Sequence, residues 1–346
     1  MSISCPPKTF YHLSGRIGQD INLIQGGGGN TSFKQEGILW VKGSGTWLSR
    51  AEDAQVFVPL FLDEVRQVIA ENRLDTFGGQ MAESSSLRPS IETSMHALLP
   101  HTVVLHVHSV NAIAWAVLAD APQRLAHLLG GMAWAWIPYR RPGLPLTREI
   151  VVQLAGQERL PDVLFLGNHG LVVGGENCAA AESLLWDVER RLALPLRATP
   201  APVWERLHAR ISTLPLWRVP DHLDLHAMAF DPVARALLLR PALYPDHVVY
   251  LGRDSCLLPA DTPLDQGVGR WANAAFCVVE NEGVLFGPAL SPGAEAMLHC
   301  HSLVTRRLAS TLGVRCLTPE EEDELTNWDA EKYRQAMDHS VPSDLP

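Results

Sequence analysis

Two short stretches of the chain are nearly alike: Leu105-His106-Val107-His108-Ser109-Val110 and Leu298-His299-Cys300-His301-Ser302-Leu303. Each sets two imidazoles two positions apart in an apolar run, and such a pair chelates a metal ion only if both rings face the same way. Side chains at i and i+2 share a face on a strand and diverge by about 200° on a helix. The first stretch lies in Thr102-Val-Val-Leu-His-Val-His, which is β-branched and follows Pro100, so it reads as a strand. Ser109 is then placed to cap a helix through Val110–Ala119. The second stretch follows Ser291-Pro292-Gly293, with Ala294, Met297, Leu298, His301 and Leu308 at helical spacing. His106 and His108 should therefore chelate, whereas His299 and His301 should point apart, one packed and one solvated.

A strand His-x-His needs further ligands. Upstream, Pro89-Ser90-Ile91-Glu92 starts a helix at Ser90 and sets Glu92 one turn before His96, after which the chain turns at Pro100 into the His106 strand. Downstream, Gly167-Asn168-His169-Gly170 holds His169 in a tight turn between two apolar strands. His106, His108 and His169 would supply three nitrogens and Glu92 a displaceable oxygen. Three protein nitrogens with one exchangeable position is what a catalytic Zn2+ needs, since the substrate must enter the coordination shell; another divalent cation is the alternative.

The elements that must position these groups are short apolar runs, Ile38–Gly43, Thr102–Val107 and Val163–Gly167, alternating with segments of helical period. That is an α/β pattern. At 346 residues the chain suggests two domains. The break falls near residue 200, where Pro195-Leu-Arg-Ala-Thr-Pro-Ala-Pro202 stops a helix and cannot enter a sheet interior. Beyond it, 274–309 resembles 162–193 as a degenerate partial repeat: strand, Asn-x-Gly turn, strand, helix, Arg-Arg-Leu-Ala. In that alignment Glu282 falls where the first copy has His169.

With 28 Lys+Arg against 38 Asp+Glu, the net charge of −10 has the wrong sign for nucleic acid or an anionic membrane, which leaves a small molecule as the expected partner. The start shows no export signal, and the longest apolar stretch, Val103–Leu118, is broken by two histidines and Asn111. The six cysteines, Cys5, Cys178, Cys256, Cys277, Cys300 and Cys316, have no C-x-x-C or disulfide-framework spacing, so free thiols in a cytoplasmic protein are expected.

These pieces together resemble the class II aldolase/adducin family over roughly residues 10–195, in the family's order. Gly26–Lys34 looks like its phosphate loop, Val41–Gly45 like its second phosphate turn, Pro89–Glu92 like its acidic motif, His106–His108 like its paired ligands and Gly167–Gly170 like its third histidine. The wording around Gly26–Lys34, Leu39–Leu48 and Asn327–Arg334 is also similar to the aldolase part of longer bifunctional aldolase/dehydrogenases, with no dinucleotide-binding half following before Pro346.

The resemblance implies a three-layer α/β/α core with a central, mainly antiparallel sheet over 1–198, and a smaller α/β region over 199–346. It further implies a zinc-dependent class II aldolase, a lyase of carbohydrate metabolism that cleaves a sugar phosphate or related hydroxy-ketone through a metal-stabilised enediolate. Glu92 would serve as acid/base as well as metal ligand, and the protein as a homo-oligomer, with which ten tryptophans are compatible. A glycine run lets backbone N–H groups approach an anion closely, so Gly28, Gly29, Asn30, Thr31, Ser44, Gly45 and Ser90 form the expected substrate or phosphate site. Two positions depart from the family. Ala121–Gly131 holds no tyrosine, which leaves Tyr139 as a replacement acid or a packed ring, and Ile91 stands where a second serine is expected. A same-fold epimerase, dehydratase or decarboxylase, or a non-catalytic adducin-like module, are the alternatives.

Overall fold

β1 (Asn30–Gln35), β2 (Ile38–Lys42), β3 (Phe57–Phe61), β4 (Val103–Val107), β5 (Trp134–Ile137), β6 (Val163–Leu166) and β7 (Gly170–Gly175) form one sheet in the order β3-β2-β1-β4-β7-β6-β5. Every pairing is antiparallel except β5 with β6. The computed structural model describes residues 3–339 apart from 54, 72–76, 254, 256 and 263–274, so Cys256 and the first residue of the second repeat copy, Ala274, lie outside the described residues.

The strand period decides what each face of β4 touches. Val103, Leu105 and Val107 join a core with Phe10, Leu13 and Ile17 of α1 (Lys8–Gln19), Ile113 of α4 (Val110–Ala116) and Leu185 and Val188 of α7 (Cys178–Leu192). Val104 points the other way and packs with Met95 of α3 (Thr93–Leu98) and Leu146 and Ile150 of α6 (Leu144–Gln153). On that same side, β2 and β3 pack against Val65 and Val68 of α2 (Leu62–Ala70). The result is a three-layer α/β/α core around a mainly antiparallel sheet. His106 shares its face with Val104 and so lies on the α3 and α6 side. Helix α3 begins at Thr93, with Glu92 rather than Ser90 as the residue preceding it; the Ser90 hydroxyl accepts from the Glu92 N–H at 3.2 Å.

Past α7 the proline-rich segment is irregular backbone, as three prolines require. The hydrophobic core is nevertheless continuous across it: Leu225, Leu243, Phe276, Leu298 and Val304 belong to the same cluster as Leu105 and Ile113. A second sheet of β8 (Leu257–Leu258), β9 (Phe276–Val279) and β10 (Gly283–Phe286) follows, with its own small cluster of Leu207, Trp217, Val279 and Leu285. The hairpins β6–β7 and β9–β10 turn through Asn168 and Asn281, both in the left-handed region at φ 52° and 57°, and each is followed by a helix. Chemistry is not shared between them: Glu282 is buried and held by Arg210 at 2.6 and 3.0 Å.

The second His-x-His lies in the helix Pro292–Thr305, as its spacing predicts. His301 is fully buried against His247, whereas His299 sits on the far side near Asp224 and His222. Cys5, Cys178, Cys300 and Cys316 are in no disulfide. Among the described residues no helix is long and apolar enough to cross a membrane.

Candidate metal centre

Three elements converge at one end of the sheet. β4 lies between β1 and β7, so that Asn30 and Val172 both pair with His106. His108 stands just past the end of β4 and His169 just before β7. A Cβ on Gly170 would come within 2.6 Å of the Val107 carbonyl, so the close approach that unites these ends needs glycine there. Behind the His169 turn, Asn168 Nδ2 donates to the carbonyls of Leu243 and Arg315 at 2.8 and 2.9 Å. Residues of the C-terminal region thus hold the turn.

The three imidazoles face one another with ring centroids 4.9, 4.9 and 5.1 Å apart, and one nitrogen from each lies within 4.8 Å of the others. His106 Nε2 is 3.2 Å from His108 Nε2. Glu92 borders the cluster, with Oε2 3.2 Å from His106 Nε2 and Oε1 3.5 Å from His169 Nε2. The outer nitrogens explain the orientation. His106 Nδ1 donates to the Leu171 carbonyl at 3.1 Å, and His108 Nδ1 lies 3.2 Å from Asp246 Oδ2. With both Nδ1 protons so placed, the Nε2 lone pairs point inward, the form in which imidazole binds a metal.

Electrostatics point the same way. Burial pushes the His169 ring down to about 3 and lowers His108 as well, against the opposing pull of Asp246, which favours the neutral form of both rings. Burial alone would raise the Glu92 carboxyl, but His106, His169 and the hydrogen bond from Asn30 hold it well below the usual carboxylate range. The buried Glu92 Oε1 and His169 Nδ1 have no hydrogen-bond partner. Three facing imidazoles beside an ionised carboxylate, one oxygen of which has no hydrogen-bond partner, fit a divalent cation.

A small cavity opens beside this cluster. Of the residues expected from sequence, Gly29, Asn30, Ser44, Gly45, Ser90, Glu92, His108 and His169 line it. The Ser44 hydroxyl is buried there without a partner. Thr31 does not reach the cavity. It is the next residue along β1, so its side chain crosses to the α1 face and its hydroxyl shares a 2.7 Å hydrogen bond with Ser14. Gly28 is not in the lining either: a Cβ there would meet Asp246 Oδ2 and His108 Nδ1, both at 2.9 Å. Asn30 is occupied, donating to Glu92 Oε2 at 2.8 Å and bonded through Oδ1 to His96 Nε2. His96 thereby supports Glu92 through Asn30 instead of pairing with it.

Sequence reading missed Lys42, Asp246 and Arg334, all buried and all in the lining. Lys42 carried a readable signal: it ends a strand of apolar residues on the face of Ser44. Its ammonium donates to the Gly27 carbonyl at 2.7 Å, and burial, then the nearby Arg334, lowers it to about 7.

The family model for the class II aldolase and adducin N-terminal domain matches residues 14–195. The chain belongs to this family. An uncharacterized oxidoreductase of Bacillus subtilis (strain 168), YuxG, is 30% identical over 286 residues, covering 71% of this chain. The chain spans only 41% of that relative's length. Among solved structures, the N-terminal class II aldolase domain of a conserved Thermoplasma acidophilum protein is 25% identical, covering 56% of this chain and 94% of its own, with a TM-score of 0.48. An L-fuculose 1-phosphate aldolase is 17% identical, covering 54% and 84%, with a TM-score of 0.40.

In this class II aldolase/adducin chain the position without the family tyrosine is not filled by Tyr139. That ring is buried among Ala242, Val248 and Leu317, with Arg315 over it at 5.1 Å, and burial raises its hydroxyl far above the usual value. Arg124, on the segment that lacks the tyrosine, is half-buried and paired with Asp120. Ile91 lines the cavity as an apolar wall where the family has a serine.

Proposed function

We propose that the protein is a divalent-metal-dependent lyase, most simply a zinc-dependent aldolase that cleaves a sugar phosphate or related hydroxy-ketone into two smaller carbonyl compounds. The observation that carries this reading is the convergence of His106, His108 and His169 on Glu92, whose Oε1 is buried without a hydrogen-bond partner beside the cavity. A cation held by the three imidazoles supplies Lewis acidity to the oxygens of a bound hydroxy-carbonyl. Lys42 and the free Ser44 hydroxyl offer an anionic substituent its positive charge and a donor.

In cleavage, the bond between the carbon beside the carbonyl and the hydroxyl-bearing carbon breaks, the hydroxyl loses its proton, and the carbon left beside the carbonyl gains one. Glu92 Oε1, ionised at the outset, takes up a proton that balances the one the hydroxyl releases and delivers it to that carbon, and Asn30 keeps the carboxylate turned toward the cavity. A non-catalytic module would have no use for such a buried polar group, whose desolvation costs several kcal/mol. Cytoplasmic location and homo-oligomeric assembly belong to the same reading, supported by the family membership.

The test is a screen of aldehydes with dihydroxyacetone phosphate, repeated with Glu92→Gln. The variant should keep its metal and lose at least about 10²-fold in kcat, the usual effect of removing a general base. A kcat that holds while only thermal stability falls would make Glu92 a structural residue.

A further inference from the structure

Asp246 and Arg334 lie outside the region that the family model matches, yet both reach the centre of the site. Asp246 begins the helix Pro245–Leu251, and Oδ2 of its carboxylate is 3.2 Å from His108 Nδ1. Arg334, on the helix Asp329–Asp338, donates to both oxygens of the same carboxylate at 3.1 and 3.2 Å and to Glu331 at 2.8 and 3.0 Å. All four side chains are buried. We propose that Asp246, fixed by Arg334, is the positioning carboxylate of His108, which makes the helix Asp329–Asp338 a working part of the metal centre.

The chemistry of imidazole requires such a group. A neutral ring carries one proton, and an acceptor at Nδ1 keeps it there, leaving the Nε2 lone pair for the metal. An anionic acceptor also raises the basicity of the ligand, which a neutral carbonyl does less well. His106 has the Leu171 carbonyl, whereas His108, beyond the end of the strand, has no backbone partner of that kind and takes Asp246. A lone buried carboxylate would be strongly destabilising, and Arg334 offsets it. Recognition of a substrate anion by Arg334 fits less well, because its guanidinium is already shared by two carboxylates.

Glycine positions carry the same message. A Cβ on Gly28 would press on the His108–Asp246 contact itself, one on Gly45 would lie 2.7 Å from Met337 Cβ, and one on Gly293 would lie 2.7 Å from the Asp338 carboxylate. The Gly293 N–H donates to that carboxylate at 2.9 and 3.0 Å. Two glycines of the motifs expected to cradle substrate are thus required by the docking of the C-terminal region.

This inference rests on the metal reading above, and its test separates the two. The full chain, stripped of metal, is titrated with Zn2+ against a chelating indicator. Asp246→Asn keeps the shape but removes the anionic acceptor at His108 Nδ1, leaving at most a neutral amide oxygen there. The expected result is a fall of about 10- to 100-fold in Zn2+ affinity with the metal-free melting temperature preserved. Arg334→Gln should lower affinity in the same direction and Arg334→Lys should recover most of it, which provides the decision should Asp246→Asn fail to fold. Unchanged affinity in Asp246→Asn or in Arg334→Gln, beside a wild-type chain that binds Zn2+, would overturn the positioning role and leave the metal centre standing. A wild-type chain that binds no Zn2+ would overturn both.

Discussion

Asn30 and Glu92, 62 residues apart in sequence, meet in one buried hydrogen bond, Nδ2 to Oε2 at 2.8 Å, and His96 closes on the other side of the same amide. Asn30 is therefore engaged in holding the carboxylate, where the glycine-loop reading expects it to touch the substrate's anionic group.

That contact sets the first prediction. Asn30→Ala should lower kcat more than it raises KM, because it removes a hydrogen bond to a charged group, worth about 1.5–3 kcal/mol, and lets Glu92 turn. Asn30→Asp should be worse, since two carboxylates would then be in contact and one must take up a proton. Steady-state kinetics check this; a rise in KM alone, with kcat unchanged, would return Asn30 to the substrate-binding role.

Glu331 provides a pH prediction. Two carboxylates share the guanidinium of Arg334; burial raises Glu331 from 4.5 to about 7 while Arg334 keeps Asp246 ionised. A carboxyl with a raised value in the folded state binds more protons there than in the unfolded chain. Its contribution is fully present below about 4.5 and is lost as the pH rises through about 7. Glu331→Gln keeps a neutral group throughout. Its urea midpoint relative to wild type should therefore increase across that window and level off above it. Parallel curves for the two proteins would contradict the assignment.

Much of this site was legible because it obeys short periods. The strand alternation that unites His106 with His108 needs only the two-residue repeat and the β-branched run, and the helical spacing that parts His299 from His301 is equally local. The same alternation, applied to Asn30-Thr31-Ser32, would have sent Thr31 to the far face; the polar run hides where the strand begins. His169 could be found because its turn is bounded by two apolar strands. The roles of Asp246 and Arg334 could not be read, since their pairing spans 88 residues: Arg334 ends the Asn327–Arg334 stretch whose wording carries the resemblance, but nothing local joins it to Asp246. No local pattern marks a buried ion pair whose partners come from separate elements.

The central claim, a metal centre built on the strand pair and not on the helical one, is tested most directly by elemental analysis of purified protein. Wild type should carry about one divalent ion per chain. His108→Ala should lose it, and the His299→Ala/His301→Ala double variant should retain it despite the stability lost by emptying the buried His301 site. Equal retention, or equal loss, in the two variants would contradict the account.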